Sequence, residues 1–179
     1  MRPRKVNADL PPCVYEKHGA FYFVRKNRWH YLGSDRALAS QRGVELAALF
    51  KDPAYEGDLR RHLRTLAAGL ASKGKRGALR WKEVTITSED VEALADQNGW
   101  CCAVTGLPFR LNKINNRRPY APSVDRIDPA KGYHRDNCRI VCAAVNFAMN
   151  VWGEPMLREL AHAVVNKHGK RVLDTTGVS

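Results

Sequence analysis

The chain has 179 residues, room for one or two small domains, and an apolar share of 44% that suffices for a packed core. Thirty Lys and Arg stand against eighteen Asp and Glu, a net charge of +12 that favours an anionic partner, most simply nucleic acid, with basicity kept for solubility alone as the plainer alternative. There is no long apolar run, the start MRPRK has no apolar stretch behind it, and five cysteines are an odd number; a membrane span, a secretory leader and a disulfide framework are therefore not expected, and the expected compartment is the reducing cytoplasm.

Residues 1–12 form a basic, Pro-containing arm, with Arg2, Arg4 and Lys5 free to meet phosphates and a disordered terminus as the ordinary alternative. Three aromatic, β-rich runs follow, residues 14–17, 20–25 and 29–33, separated by His18-Gly19 and by Lys26-Asn27-Arg28. This pattern predicts a three-stranded antiparallel sheet. Its basic residues alternate with aromatics, so that one face could bury while Arg25, Lys26 and Arg28 meet phosphates; ordinary surface charge on a packing hairpin is the alternative. A sheet this small needs a helix, and residues 35–50 supply one, with Ser34 as the expected N-cap. The segment up to residue 50, through RPRK, LPP, YEKHGAFYF and WHYLG, resembles the arm-type DNA-binding domain of phage tyrosine recombinases. The resemblance implies a sheet inserted into the DNA major groove; it does not extend to the recombinase catalytic residues.

Leucines at 59, 63, 66 and 70 predict a second helix over residues 55–72. The basic, Gly-containing piece Lys73-Gly74-Lys75-Arg76-Gly77 is expected to break it and mark a boundary, with Lys73, Lys75 and Arg76 able to track phosphates or simply to be solvated. Residues 81–86 suggest an extended piece. Thr87 and Asp90 open a capping-box helix that ends at Gly99. Near the other end, residues 154–167 predict an amphipathic helix with Pro155 in its first turn and Gly169 past its end, covering the unit before it. Eighteen of the thirty basic residues but only eight of the eighteen acidic ones fall in residues 1–84, which makes this half the expected DNA-binding half. The domain division read from the chain is 1–50, a basic sheet plus helix; 51–80, a helix and basic linker; and 81–179, a chemical unit.

The chemical unit centres on PSVDRIDPAKGYHRDNCRIVCAAVNFAMN, residues 122–150. Strand, Pro/Gly loop, strand and small-residue helix succeed one another in under thirty residues. Asp125 stands near the end of the first strand and Asn137 just before the second. Asn146 and Asn150, four apart, share a helix face. A carboxylate with amide oxygens suits a hard ion such as magnesium.

The ordered set D-R-I-D, K-G-Y, N and a late N, with the lead-in CAVTGLPF at residues 102–109, resembles the phage-type HNH, or ββα-metal, endonucleases over residues 100–152. The resemblance implies an α+β fold with a ββα-metal unit and covering helices, and metal-dependent hydrolysis of DNA with Mg2+ or Mn2+. It further implies Asp125 as first metal ligand, Asn137 as the loop asparagine, Asn146 as last ligand and Asn150 as an extra one, in a phage or prophage protein. Arg126 fills the position of the general-base His, and a guanidinium does not act as a base. Either another group activates the water, or the ion does most of it, or the site is inactive; the nearby candidates are His134 and Tyr133 in the loop, with a solvated loop residue as the alternative for His134. Related proteins carry two C-x-x-C pairs for zinc, whereas Cys102 is followed three later by Thr105 and Cys142 by Val145; the spacing argues against structural zinc and for small buried thiols. Three readings stay open: an endonuclease, a non-catalytic DNA-binding or recombination accessory protein on a worn nuclease scaffold, and a resolvase specific for branched DNA such as a Holliday junction. Paired nicks would need a homodimer.

Overall fold

The computed structural model describes residues 7, 9–77 and 83–173, the side chains of 168–173 excepted. Arg2, Arg4, Lys5 and Trp81 therefore lie outside the described residues. The fold is α+β, with a three-stranded and a two-stranded antiparallel sheet among helices.

The first sheet comprises β1 (Val14–Lys17), β2 (Ala20–Arg25) and β3 (Arg28–Gly33). Lys17 pairs with Ala20 and Arg25 with Arg28, so two-residue turns close both hairpins. Both central residues of each turn have positive φ: 52° and 74° at His18-Gly19, 49° and 61° at Lys26-Asn27. That is the primed geometry whose twist matches paired strands. A register shift between Phe21 and Tyr22 leaves Leu32 as an extra residue on β3, a bulge. Val14, Phe21, Phe23 and Leu32 face inward and are buried with Ala39, Leu46 and Cys101.

Helix α1 (Arg36–Lys51) lies across that inner face, capped by Asp35, whose side chain accepts from the Leu38 N–H at 2.8 Å. The expected cap, Ser34, is displaced by one residue. Gly43 permits the close approach of α1 to β1, because a Cβ there would sit 2.2 Å from Cγ2 of Val14.

Helix α2 (Pro53–Lys75) runs further than expected at both ends. Asp52 caps it and Pro53 occupies its first position, where a missing N–H costs nothing. At the other end Lys73 and Lys75 complement the carbonyl dipole, and Gly77, at φ 65°, stops the helix. One glycine at position 74 costs only about 1 kcal/mol in a helix, too little to break it where the sequence predicts a break. Tyr55, Leu59, Leu63 and Ala67 of α2 are buried in a second, larger core with Trp100, Phe109, Ile140 and Val141. The Tyr55 hydroxyl donates to the Phe109 carbonyl at 2.8 Å.

Helix α3 (Ser88–Gln97) has the expected capping box, with Thr87 and Asp90 each bonding the other's backbone N–H, and Gly99 follows at φ 58°. The second sheet pairs β4 (Pro122–Arg126) with β5 (Cys138–Cys142), Asp125 opposite Arg139. Residues 83–86 dock on the connecting loop: Val84 bridges Tyr133, and the Thr85 and Ile86 N–H groups both bond the Tyr133 carbonyl. Helix α4 (Ala143–Met149) follows at once, and α5 (Gly153–Leu173) runs through Gly169 rather than ending before it. Leu157 packs on the second core, whereas Leu160, Val164 and Val165 are exposed, so α5 covers the hairpin unit only near its start. Among the described residues no helix is long and apolar enough to cross a membrane.

Candidate active site

The β4–β5 hairpin and α4 enclose one side of a cavity of about 510 Å³, lined among others by Asp125, Arg126, Tyr133, Asn146, Phe147 and Asn150. Antiparallel pairing aims Asp125 and Arg139 to the same face, and the turn from β5 directly into α4 brings Asn146 back over β4. Among the described residues two polar side chains are buried, Asp125 at 8% exposure and Asn137 at 6%. Burial of a polar group is costly unless it is satisfied, and each of these two is held in a different way.

Asn137 is a loop fastener. Its Oδ1 accepts from the Asp128 N–H at 3.0 Å, and its Nδ2 donates to the carbonyls of Asp128 at 3.1 Å and Gly132 at 2.9 Å. Its own carbonyl accepts from the Ile127 N–H at 2.8 Å. One side chain thus closes the loop of residues 127–137 at both ends.

Asp125 is an anchored carboxylate. Its Oδ2 accepts from Nε of Arg139 at 2.8 Å, while Oδ1 bonds none of the described residues. Arg139 donates from Nη1 to Glu154 at 2.5 Å and contacts the Met149 sulfur from Nη2. The Arg139 and Arg158 guanidiniums hold the Glu154 carboxyl below the usual carboxylate range. The row Asp125, Arg139, Glu154, Arg158 alternates in sign and ties the hairpin to the start of α5.

Asn146 donates its Nδ2 hydrogens to Oγ of Ser123 at 2.9 Å and to the Val124 carbonyl at 3.1 Å. With both hydrogens used, Oδ1 is the atom it can offer a ligand in the cavity. Asn150 ends α4 at φ 40°, its N–H on the Asn146 carbonyl at 3.0 Å. A carboxylate oxygen and amide oxygens on one cavity are hard donors, and the set fits a small divalent ion that retains most of its water. Among the described residues there is no group of three or more His, Cys, Asp or Glu that could hold a metal; the carboxylate and amide side chains that line this cavity are Asp125, Asn146 and Asn150.

Arg126 lines the same cavity. Its Nη1 donates to the carbonyls of Pro129 at 2.8 Å and Lys131 at 3.0 Å, and its guanidinium carbon lies 5.0 Å from the Tyr133 ring centre. Nε and Nη2 bond none of the described residues, leaving three N–H donors for an anion. His134 is not brought to the cavity. Its Nδ1 is hydrogen-bonded to Oγ1 of Thr85 at 2.8 Å, which turns the ring toward residues 83–86. Of the two loop residues expected near the water, Tyr133 lines the cavity and His134 does not.

The expected DNA-binding residues are divided. Arg25 and Lys26 both pair with Glu56 of α2, at 2.5 and 3.4 Å, and Arg28 pairs with Asp96 of α3 at 3.1 Å. These contacts fasten the sheet to the rest of the molecule. Lys73 and Lys75 bond none of the described residues, and Arg76 donates to Ser72 at 2.8 Å.

The cysteines are buried, apart from half-buried Cys13. Cys102 and Cys142 meet, the Cys142 N–H lying 3.3 Å from the Cys102 sulfur. Hydrogen bonding from Cys142 holds the Cys102 thiol below its usual range, and the same contact, with burial, holds Cys142 above it. Burial pushes Cys138 up to about 11 and Cys101 up to about 12. Cys101 belongs to the first core and the other three to the second.

Sequence reasoning missed Arg139, Glu154 and Phe147. Arg139 could be found only by knowing the hairpin register. Phe147, 84% exposed on the cavity rim, carries a local signal, a large aromatic one residue after Asn146. Compared with known proteins, the chain matches no family model, no curated protein and no solved structure.

Proposed function

We propose that the chain is a metal-dependent DNA endonuclease of the HNH type, a hydrolase of phosphodiester bonds whose basic N-terminal sheet binds the DNA. The observation that carries the proposal is the convergence of Asp125, Asn146 and Asn150 on one cavity beside a loop fastened by Asn137. Bound there, Mg2+ or Mn2+ would act as a Lewis acid on the scissile phosphate. Asp125 and Asn146 would hold the ion through their free oxygens, Asn150 assisting. Arg139 positions Asp125 and shares its charge with Glu154, so the carboxylate keeps one fixed orientation. Arg126, pinned by two loop carbonyls, presents its remaining N–H groups to a phosphate, for which a planar fork is suited. Tyr133, which lines the cavity, would be the loop group that exchanges a proton with water there, unless the ion itself supplies hydroxide.

A second reading, a non-catalytic DNA-binding or recombination accessory protein on the same scaffold, is favoured by two observations. Asp125 is already paired with Arg139, and Arg126 stands where the HNH pattern has its base. Plasmid nicking in Mg2+ or Mn2+ separates the two. The endonuclease reading expects nicking by the parent and a loss of at least about a hundredfold in Asp125→Ala and Asn146→Ala, the scale on which an electrostatic catalytic group acts, with DNA binding kept. No nicking with either ion, or equal nicking by parent and variants, rejects it.

A further inference from the structure

The outer face of the N-terminal sheet is aromatic. Tyr15 pairs with Tyr22 and Tyr22 with Tyr31, so three tyrosines form a row across the strands, and Trp29 stands beside it on β3. Ring centres are 6.0 Å apart for Tyr15 and Trp29, 5.7 Å for Tyr22 and Trp29, and 5.7 Å for Tyr22 and Tyr31. Trp29 is 52% exposed, Tyr31 59% and Tyr15 38%. The core is built from the opposite face, through Val14, Phe21, Phe23 and Leu32, so these rings pair across the strands but fill no core and keep much of their surface in water.

The polar groups on this face are few. Lys17 reaches over the Trp29 ring, 5.3 Å from its centre. Arg25 and Arg28 point the other way, to Glu56 and Asp96. Reading base edges in a duplex groove requires Arg, Lys, Asn or Gln donors, and the face offers one lysine. Bases inside a duplex hide their flat faces in the stack, whereas unpaired bases expose them, and aromatic side chains bind them by stacking whatever the sequence. The chain's net charge of +12 agrees with a polyanion, and this face contributes Lys17 to it, since Arg25, Lys26 and Arg28 are paired with Glu56 and Asp96. Trp29 and Tyr31 continue into a groove of about 680 Å³ walled by residues 101–106, Arg28 and Arg158. Arg158 pairs with Glu154, Glu154 with Arg139, and Arg139 with Asp125. A row of ion pairs therefore links Arg158 on the groove wall to Asp125 on the candidate cavity.

We infer that the outer face of β1–β3 is a stacking platform for the unpaired bases of a DNA strand, and that the substrate is DNA with a single-stranded or splayed segment, as at a branch. The word substrate rests on the endonuclease reading; the binding surface does not. The test is fluorescence anisotropy with the full chain and three labelled probes: an oligothymidylate of about 12 nucleotides, within the span of one small stacking domain, an abasic strand of the same length, and a duplex of that length. The parent should bind the base-bearing strand at least about tenfold more tightly than the abasic one, the worth of stacking one base. The double substitution Trp29→Ala with Tyr31→Ala should erase that preference and change duplex binding by less than about threefold, and Trp29→Phe should keep most of it, because any aromatic ring stacks. Both side chains are exposed, and circular dichroism checks that the double variant folds. Equal binding of base-bearing and abasic strands, or equal losses for strand and duplex in the variant, overturns the inference. Base-dependent binding by a chain that nicks no DNA would sink the endonuclease reading and leave the platform standing.

Discussion

Replacing Asn137 with aspartate keeps the shape of the side chain and removes its two donors. In the folded chain those donors bond the carbonyls of Asp128 and Gly132, so the substitution sets a carboxylate oxygen against two carbonyl oxygens at a site 6% exposed. Each lost hydrogen bond is worth about 1 kcal/mol net, and leaving buried partners unsatisfied adds about 1–3 kcal/mol more. A total of about 3–5 kcal/mol corresponds to a fall of about 6–20 °C in Tm for a chain of this size. Asn137→Ala loses all three side-chain bonds without introducing a charge, and should cost about 2–4 kcal/mol. The pH dependence distinguishes charge from packing. Facing carbonyls, the new carboxyl has a folded pKa above its unfolded value of about 3.9. A raised folded pKa contributes stability that is fully present below the unfolded pKa and is lost as pH rises through the folded one. The deficit of Asn137→Asp should therefore shrink on acidification while that of Asn137→Ala does not. Urea unfolding across pH measures both, and nicking should fall in parallel, because the fastened loop carries the carbonyls that pin Arg126. If Asn137→Asp unfolds at the parent's urea midpoint at neutral pH, the amide does not hold the loop and the reasoning fails.

His134→Ala should lower single-turnover nicking by less than about tenfold, below the usual worth of a general base, because its ring is engaged with Thr85; a hundredfold loss rescued by higher pH would restore it as the water activator. Gly43→Ala should destabilise by about 1–3 kcal/mol through overpacking even though alanine favours helices, since its Cβ would meet Val14; a raised Tm would mean that α1 moves freely off β1. Burial, assisted by Arg28 and Arg25, holds His30 below its ordinary 6.5, so the unfolded chain takes up the proton first. Stability from His30 is then full above pH 6.5 and lost as pH falls through the folded value. Urea unfolding should weaken below that pH, and His30→Gln should flatten the dependence; an unchanged slope would place the effect elsewhere, with half-buried His62 next in line.

What the sequence determined by itself is local. His18-Gly19 and Lys26-Asn27-Arg28 read as turns between alternating runs, and the three strands follow from them, with Arg28 joining β3 once the register is set. Thr87 and Asp90 cap a helix through bonds spanning three residues. The order of β4, loop, β5 and α4 is set by a breaker-rich loop between β-branched runs, and Asp125, Asn146 and Asn150 reach one cavity because no long connection intervenes between β5 and α4. The tertiary structure decided the partners. Asp125 meets Arg139 only because of a register chosen across residues 127–137, a loop too long for its length to dictate the pairing. His134 faces Thr85 rather than the cavity because residues 83–86, distant in sequence, dock on the loop and take one side of it. Helix α2 runs through Gly74 and its basic end because Leu59 and Leu63 bury in the second core, and burial of several side chains outweighs the about 1 kcal/mol that Gly74 costs. Turns and caps are settled within a few residues, whereas register and docking are settled by which distant surfaces exclude water together.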